Sequence, residues 1–145
     1  MPTQSETSVQ QTATVPNVAL ALQPIVYAEF SALIEPGLGC SFQEEADKLL
    51  LVATAMDERE DVAEAVVKTD AEAFILKATQ PGGYNAMREN GATFTNGSDL
   101  SIVIERNAGE GEPEGIESTV WPATMTVRQN GMKRTYTGGR WSCGA

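Results

Sequence analysis

Residues 123–137, "ATMTVRQNGMKRTYT", constrain the fold more than any other stretch of the chain. Two runs containing β-branched residues flank Asn130-Gly131. That pair suits a two-residue type I′ turn, because both central positions of such a turn need positive φ. The turn fixes a register, setting Met125 opposite Tyr136 and Thr126 opposite Thr135, two sensible cross-strand pairs. Other β signals surround it. "KLLLVATAM" (48–56), "EAVVKT" (64–69) and "AFILKAT" (73–79) are short apolar runs, and "LSIVIER" (100–106) alternates. Asn90-Gly91 and Asn96-Gly97 repeat the turn signal, and the first would set Met87 against Phe94. Short strands with regular turns predict a mainly β domain, a single antiparallel barrel or sandwich. A helix through 57–68 is the alternative for that stretch, since Val62, Ala65 and Val66 also share a helical face.

Upstream the pattern changes. Residues 1–16 are polar, rich in Ser, Thr and Gln, and lack apolar periodicity. Burial cannot offset their ordering entropy, so a disordered polar tail or tether is expected, with the β domain spanning 17–145. A tail of this composition often follows a removed signal or lipid anchor, so the native start is expected to lie upstream. Residues 1–16 show no charged-then-apolar signal pattern, and no apolar run is long enough to span a bilayer as a helix. Within 17–37, Val18, Leu20 and Leu22 alternate like a strand. Ile25, Val26, Phe30, Leu33 and Ile34 then recur at helical spacing between Pro24 and Pro36-Gly37, which predicts one short N-terminal helix.

The chain holds two cysteines. Cys40 stands just before a predicted strand and Cys143 at the end of the last one. Their simplest use is a disulfide tying the first core strand to the last. Closing a loop of about 100 residues stabilises by roughly 4.7 kcal/mol in the chain-entropy model. The alternative, a reactive thiol, lacks an activating histidine. A disulfide implies an oxidising compartment, periplasmic or extracellular.

The 145 residues include no histidine. That removes Ser-His-Asp and Cys-His nucleophiles, imidazole acid–base work and every His-containing metal site. Two cysteines cannot build a thiolate zinc site or an iron–sulfur cluster. Carboxylate, Lys, Tyr, Ser or Thr chemistry remains, with oxygen-ligated calcium; no cofactor is expected. A net charge of −10 repels nucleic acid and anionic membranes and favours a basic partner.

Three further constellations have a plain structural reading beside a functional one. "DEREDVAE" and "ERNAGEGEPEGIE" could offer calcium its carboxylates, but neither has EF-hand spacing and both suit solvated loops. A carboxylate-based glycoside hydrolase needs two acids across a sugar cleft, with Trp121 and Trp141 as candidate platforms. A tryptophan beside a disulfide is more often core. "QPGGYNAMRENGATFTNG" (80–97) reads as a hairpin with an exposed, irregular end. Its loops are candidate binding surface through Gly82, Gly83, Tyr84, Asn96 and Gly97. Asn96-Gly97-Ser98 also matches a glycosylation sequon at chance level.

"GCSF" at the start of the β region and "WSCGA" at the end resemble small envelope proteins of Gram-negative bacteria, over roughly residues 38–145. That resemblance implies no activity. A second similarity is to the periplasmic and membrane-bound C-type lysozyme inhibitors, small antiparallel β-barrels with one early and one late cysteine. Their central motif runs Ser-Gly-x-x-Tyr, an aromatic strand, then Lys-Gly and an acid. Here Gly82-Gly83, Tyr84, Phe94 and Asn96-Gly97 before Asp99 stand at nearly that spacing. The family's Ser and Lys fall on Gly82 and Asn96, which cannot make the same charge-assisted contact. If this motif acts as in the family, its loops project together from one end of the barrel. The expected protein is thus non-enzymatic, acting through binding, with lysozyme inhibition, a sugar hydrolase or a structural envelope component as alternatives.

Overall fold

The computed structural model describes residues 21–34, 38–44, 48–55, 62–69 and 72–144. Among them the elements run α1 (Tyr27–Ser31), β1 (Gly39–Gln43), β2 (Leu49–Thr54), β3 (Glu64–Thr69), β4 (Glu72–Ala78), α2 (Gly83–Asn90), β5 (Ala92–Thr95), β6 (Leu100–Arg106), β7 (Glu112–Glu114), β8 (Ser118–Gln129) and β9 (Met132–Gly144). Every ladder is antiparallel. The order β6-β5-β4-β3-β2-β1-β9-β8 closes because β8 also pairs with β6, so eight strands form a barrel rather than a sandwich. β7 stands outside the ring, on the part of β8 that β6 does not reach.

The β8–β9 hairpin has the register its turn demands: Met125 faces Tyr136 and Thr126 faces Thr135. Asn130 and Gly131 take φ of 52° and 81°. Its other end bends. Ala123 pairs with Gly139 but Met125 with Tyr136, so β9 carries an extra residue at Thr137–Gly138, with Gly138 at φ 74°. Such a bulge turns a strand around a barrel corner. Gly139 then faces inward, and a Cβ there would collide with the Phe42 ring.

Period-two alternation fills the interior. Cys40 and Phe42, Leu51 and Ala53, Ala65 and Val67, Leu76, Phe94, Ile102 and Ile104, Trp121, Met125 and Val127, Trp141 and Cys143 form one buried cluster. These side chains fill the interior, as expected of a small barrel. β2 and β3 are apolar on their outer face too. There Val52 and Val66 pack with Ile25 and Ile34 beneath α1, which explains the unbroken "LLLVA" run. Glu29 anchors that helix: its Oε1 accepts from Val26 N at 3.0 Å, and its Oε2 meets Lys68 Nζ at 2.7 Å. The segment before α1 closes one end of the barrel. Buried Leu22 donates its N–H to Tyr136 Oη (2.9 Å), Gln23 N donates to Lys68 O and Ile25 N to Leu49 O.

Cys40 and Cys143 are directly opposite across β1 and β9 and form a disulfide spanning 103 residues of sequence. The barrel strands that come first and last in sequence are thus tied side by side.

Two sequence expectations need correction. Residues 83–90 are helical, so Met87 does not face Phe94 across a hairpin; Phe94 pairs with Ala78 and Ile102. Asn90-Gly91 ends that helix, with Gly91 at φ 75° and its N–H on Met87 O. The helix considered for 57–68 gives way to β3 from Glu64, while 57–61 lie outside the described residues. The expected tail 1–16 and the alternation at Val18 and Leu20 also lie outside them.

Candidate functional site

The end of the barrel opposite Leu22 carries helix α2 and residues 107–117. Helix α2 bridges the exit of β4 and the entry of β5, and turns Tyr84 and Met87 into the core. Residues 107–117 leave β6 there, form β7, turn at 115–117 and enter β8. Two buried tryptophans hold one segment each. Trp141 Nε1 donates to Met87 O at 3.0 Å, and Trp121 Nε1 to Gly109 O at 3.2 Å. A buried indole N–H needs a partner, and here the partner fixes a segment of backbone.

Arg106 joins the two segments. Its Nε donates to Arg88 O (2.9 Å) near the C-terminus of α2, and its Nη1 to Asn107 O (2.8 Å) and Gly109 O (3.2 Å). A cation suits the carbonyl-rich end of a helix. Its guanidinium also lies 4.4 Å from the Trp121 ring centroid, with that of Arg88 at 5.4 Å. Both arginines are therefore spent on structure: planar cations on an aromatic ring, one of them satisfying three carbonyls.

From this base β7 projects as a short hairpin. Glu112 pairs with Val120, Pro113 with Thr119 and Glu114 with Ser118, and Ser142 Oγ donates to Glu114 Oε1 at 2.9 Å. Gly111 packs so closely on Trp121 and Thr119 that a Cβ would clash with both. Pro113 sits on an edge strand, where a missing N–H is tolerated. Ile116, at the tip, is 100% exposed, the extreme among the large hydrophobics. Glu112, Glu114 and Glu117 flank it, all on exposed residues.

The sequence-derived candidates are split. Gly83 and Tyr84 are buried in α2, with Gly82 its N-cap. Asn96 and Gly97 are exposed in the β5–β6 turn, at the other end of β5. The five residues share no surface, so the expectation that loops 82–97 project together is not met. A helix separates positions that a plain hairpin would have brought level. Asn96 is instead a turn organiser: Oδ1 accepts from Ser98 N and Leu100 N, and Nδ2 donates to Asp99 Oδ1 at 2.8 Å. That contact, with Gln129, holds the Asp99 carboxyl below the usual carboxylate range. The candidate sugar platforms are core, Trp121 being 2% and Trp141 0% exposed.

Sequence reasoning placed 105–117 among solvated loops and missed β7 and the side-chain bonds that hold Gly109. The available signal was Pro113 between two glutamates with glycines on either side, a turn signature too short to specify β7. Among the described residues no group of acids is gathered to hold a metal ion, and no helix is long and apolar enough to cross a membrane. No protein-family model, curated protein or solved structure matches the chain.

Proposed function

We propose that this protein is a binding domain of an oxidising, periplasmic or extracellular compartment, acting without catalysis, and that it presents the 107–117 hairpin to a basic protein. Large buried side chains, Phe42, Phe94, Trp121 and Trp141 among them, occupy the barrel interior, so the reading assigns recognition to its ends and outer face. The buried disulfide supports the compartment.

Ile116 carries the reading. A single exposed apolar side chain is ordinary on a protein surface. This one tops a segment fixed by the β7–β8 ladder, the Ser142–Glu114 bond, the Trp121 indole and Arg106. An anchor already held in place loses little freedom on docking. Flanking carboxylates speed encounter with a cationic surface and orient the approach. Lysozyme inhibition, in this reading, runs through the hairpin and not through Gly82, Tyr84 and Asn96.

The test uses a C-type lysozyme as the basic probe, with binding and lysis of a peptidoglycan suspension measured at low and high salt. The expected result is an association that weakens as salt rises and is lost in Ile116→Ser with unchanged thermal stability. No association at micromolar concentration in low salt, or one indifferent to Ile116→Ser, would overturn the hairpin reading.

A further inference from the structure

Three Asn-Gly pairs punctuate the chain, at 90–91, 96–97 and 130–131. Chemically they are alike. The glycine nitrogen, after losing its proton to base, can attack the preceding Asn Cγ. The new N–C bond closes a five-membered imide, the Cγ–Nδ2 bond breaks and ammonia leaves. Water then opens the ring to aspartate or isoaspartate. The step needs a free glycine N–H, a free asparagine side chain and backbone able to swing into the attack geometry.

The fold satisfies these conditions very unequally. Gly91 N is bonded to Met87 O at 3.0 Å, and Gly91 is packed so tightly on the β6 backbone that a Cβ would strike Ile104 O. Gly97 N donates to Thr95 Oγ1 at 3.0 Å, while Asn96 is held at both side-chain atoms by Ser98, Leu100 and Asp99. Asn130 differs. Its own N–H reaches Asp99 O at 3.2 Å, but among the described residues no bond holds its side chain and no backbone acceptor takes the Gly131 N–H. Both residues are exposed, with nothing within 4 Å of where a Gly131 Cβ would stand. β6 ladders β8 as far as Gln129, opposite Leu100, but stops short of the two turn residues, and on the other side β1 pairs with β9 only from Arg140 onward.

We infer that Asn130-Gly131 is the site at which this protein deamidates in its folded state, with water as the only co-reactant. Isoaspartate would lengthen the backbone inside a turn that has room for two residues, and so loosen the Gln129–Met132 closure. Either product adds a carboxylate beside Asp99. The change lies at the end of β8 remote from Ile116, so aged protein keeps the hairpin that carries the proposed binding.

The test is incubation of the intact chain at neutral and mildly alkaline pH, followed by peptide mapping with isoaspartate detection. Conversion at Asn130 is expected to lead that at Asn90 and Asn96 by roughly tenfold or more, because the other two must first open locally. In denaturant the three rates should converge. Thr95→Val, which removes the acceptor of the Gly97 N–H, should raise conversion at Asn96. Equal rates in the native protein, or a native-state lead at Asn90 or Asn96, would overturn the assignment. An Asn96 indifferent to Thr95→Val would overturn the protection argued for it.

Discussion

Gly139 does its work by lacking a side chain. The Phe42 ring occupies the place of its Cβ, so Gly139→Ala must push the ring or the β9 backbone aside. Overpacking of this kind costs about 1–3 kcal/mol, and a fall in the denaturant midpoint of that size is expected. Gly131→Val should cost a similar amount, on the order of 1–3 kcal/mol, because a β-branched residue resists the positive φ at the β8–β9 turn. The two glycines differ in how far they could be read beforehand. Gly131 announces itself through its neighbour Asn130, since a type I′ turn is a local requirement. Gly139 answers to a phenylalanine on another strand, and nothing adjacent to it in sequence carries that information. The cysteines lie between these cases. Scarcity made their pairing legible, but their direct cross-strand register required the barrel to be known.

Among the elements, β6 was legible to the residue because its apolar side chains alternate. β3, buried at Ala65, Val66 and Val67 alike, read as an apolar run that a helix through 57–68 also fitted. α2 was not legible. Eight residues give Tyr84 and Met87 one shared face and no second repeat to confirm the helical period, and Gly91 as a helix end looks the same in sequence as Gly91 in a turn. That ambiguity displaced the whole candidate site derived from 82–97. Arg106 now offers a way to probe how the α2 end is held. Arg106→Ala should free both the C-terminus of α2 and residues 107–117, raising amide exchange in those two segments while β2 and β3 stay protected. Unchanged exchange in both would mean that the tryptophan bonds suffice. α1 depends on charge. The Lys68 ammonium, then the Val26 N–H, holds the Glu29 carboxyl below the usual carboxylate range. A lowered carboxylate contributes stability that is present above its unfolded pKa and lost as pH falls through the folded value. Acidification should therefore loosen α1 while the disulfide-closed barrel persists. Amide exchange at Phe30 and Ile34 would follow it, and Glu29→Gln should flatten the pH dependence.

For the molecule as a whole, the β class and the early-to-late disulfide follow from local pattern and from counting cysteines. The choice of barrel over sandwich does not, because it needs β6 to pair with β8 and β1 with β9 in one ring, and no local pattern specifies either pairing. Protein purified without reductant should show both thiols protected from alkylation. Replacing Cys40 and Cys143 together by Ser should lower stability by up to roughly 4.7 kcal/mol, the loop-entropy value. The position of the disulfide has a further consequence. Cys40 and Cys143 enclose nearly every described loop and turn, including the exposed 107–117 hairpin. A protease that cuts the chain once between them therefore releases no fragment: the two pieces remain joined by the sulfur bridge and by the neighbouring strands that already hold them. Such a nicked molecule would run as one band on a non-reducing gel and as two after reduction. In the oxidising compartment proposed above, where hydrolases are abundant and resynthesis is remote, damage to a loop would then leave the molecule whole.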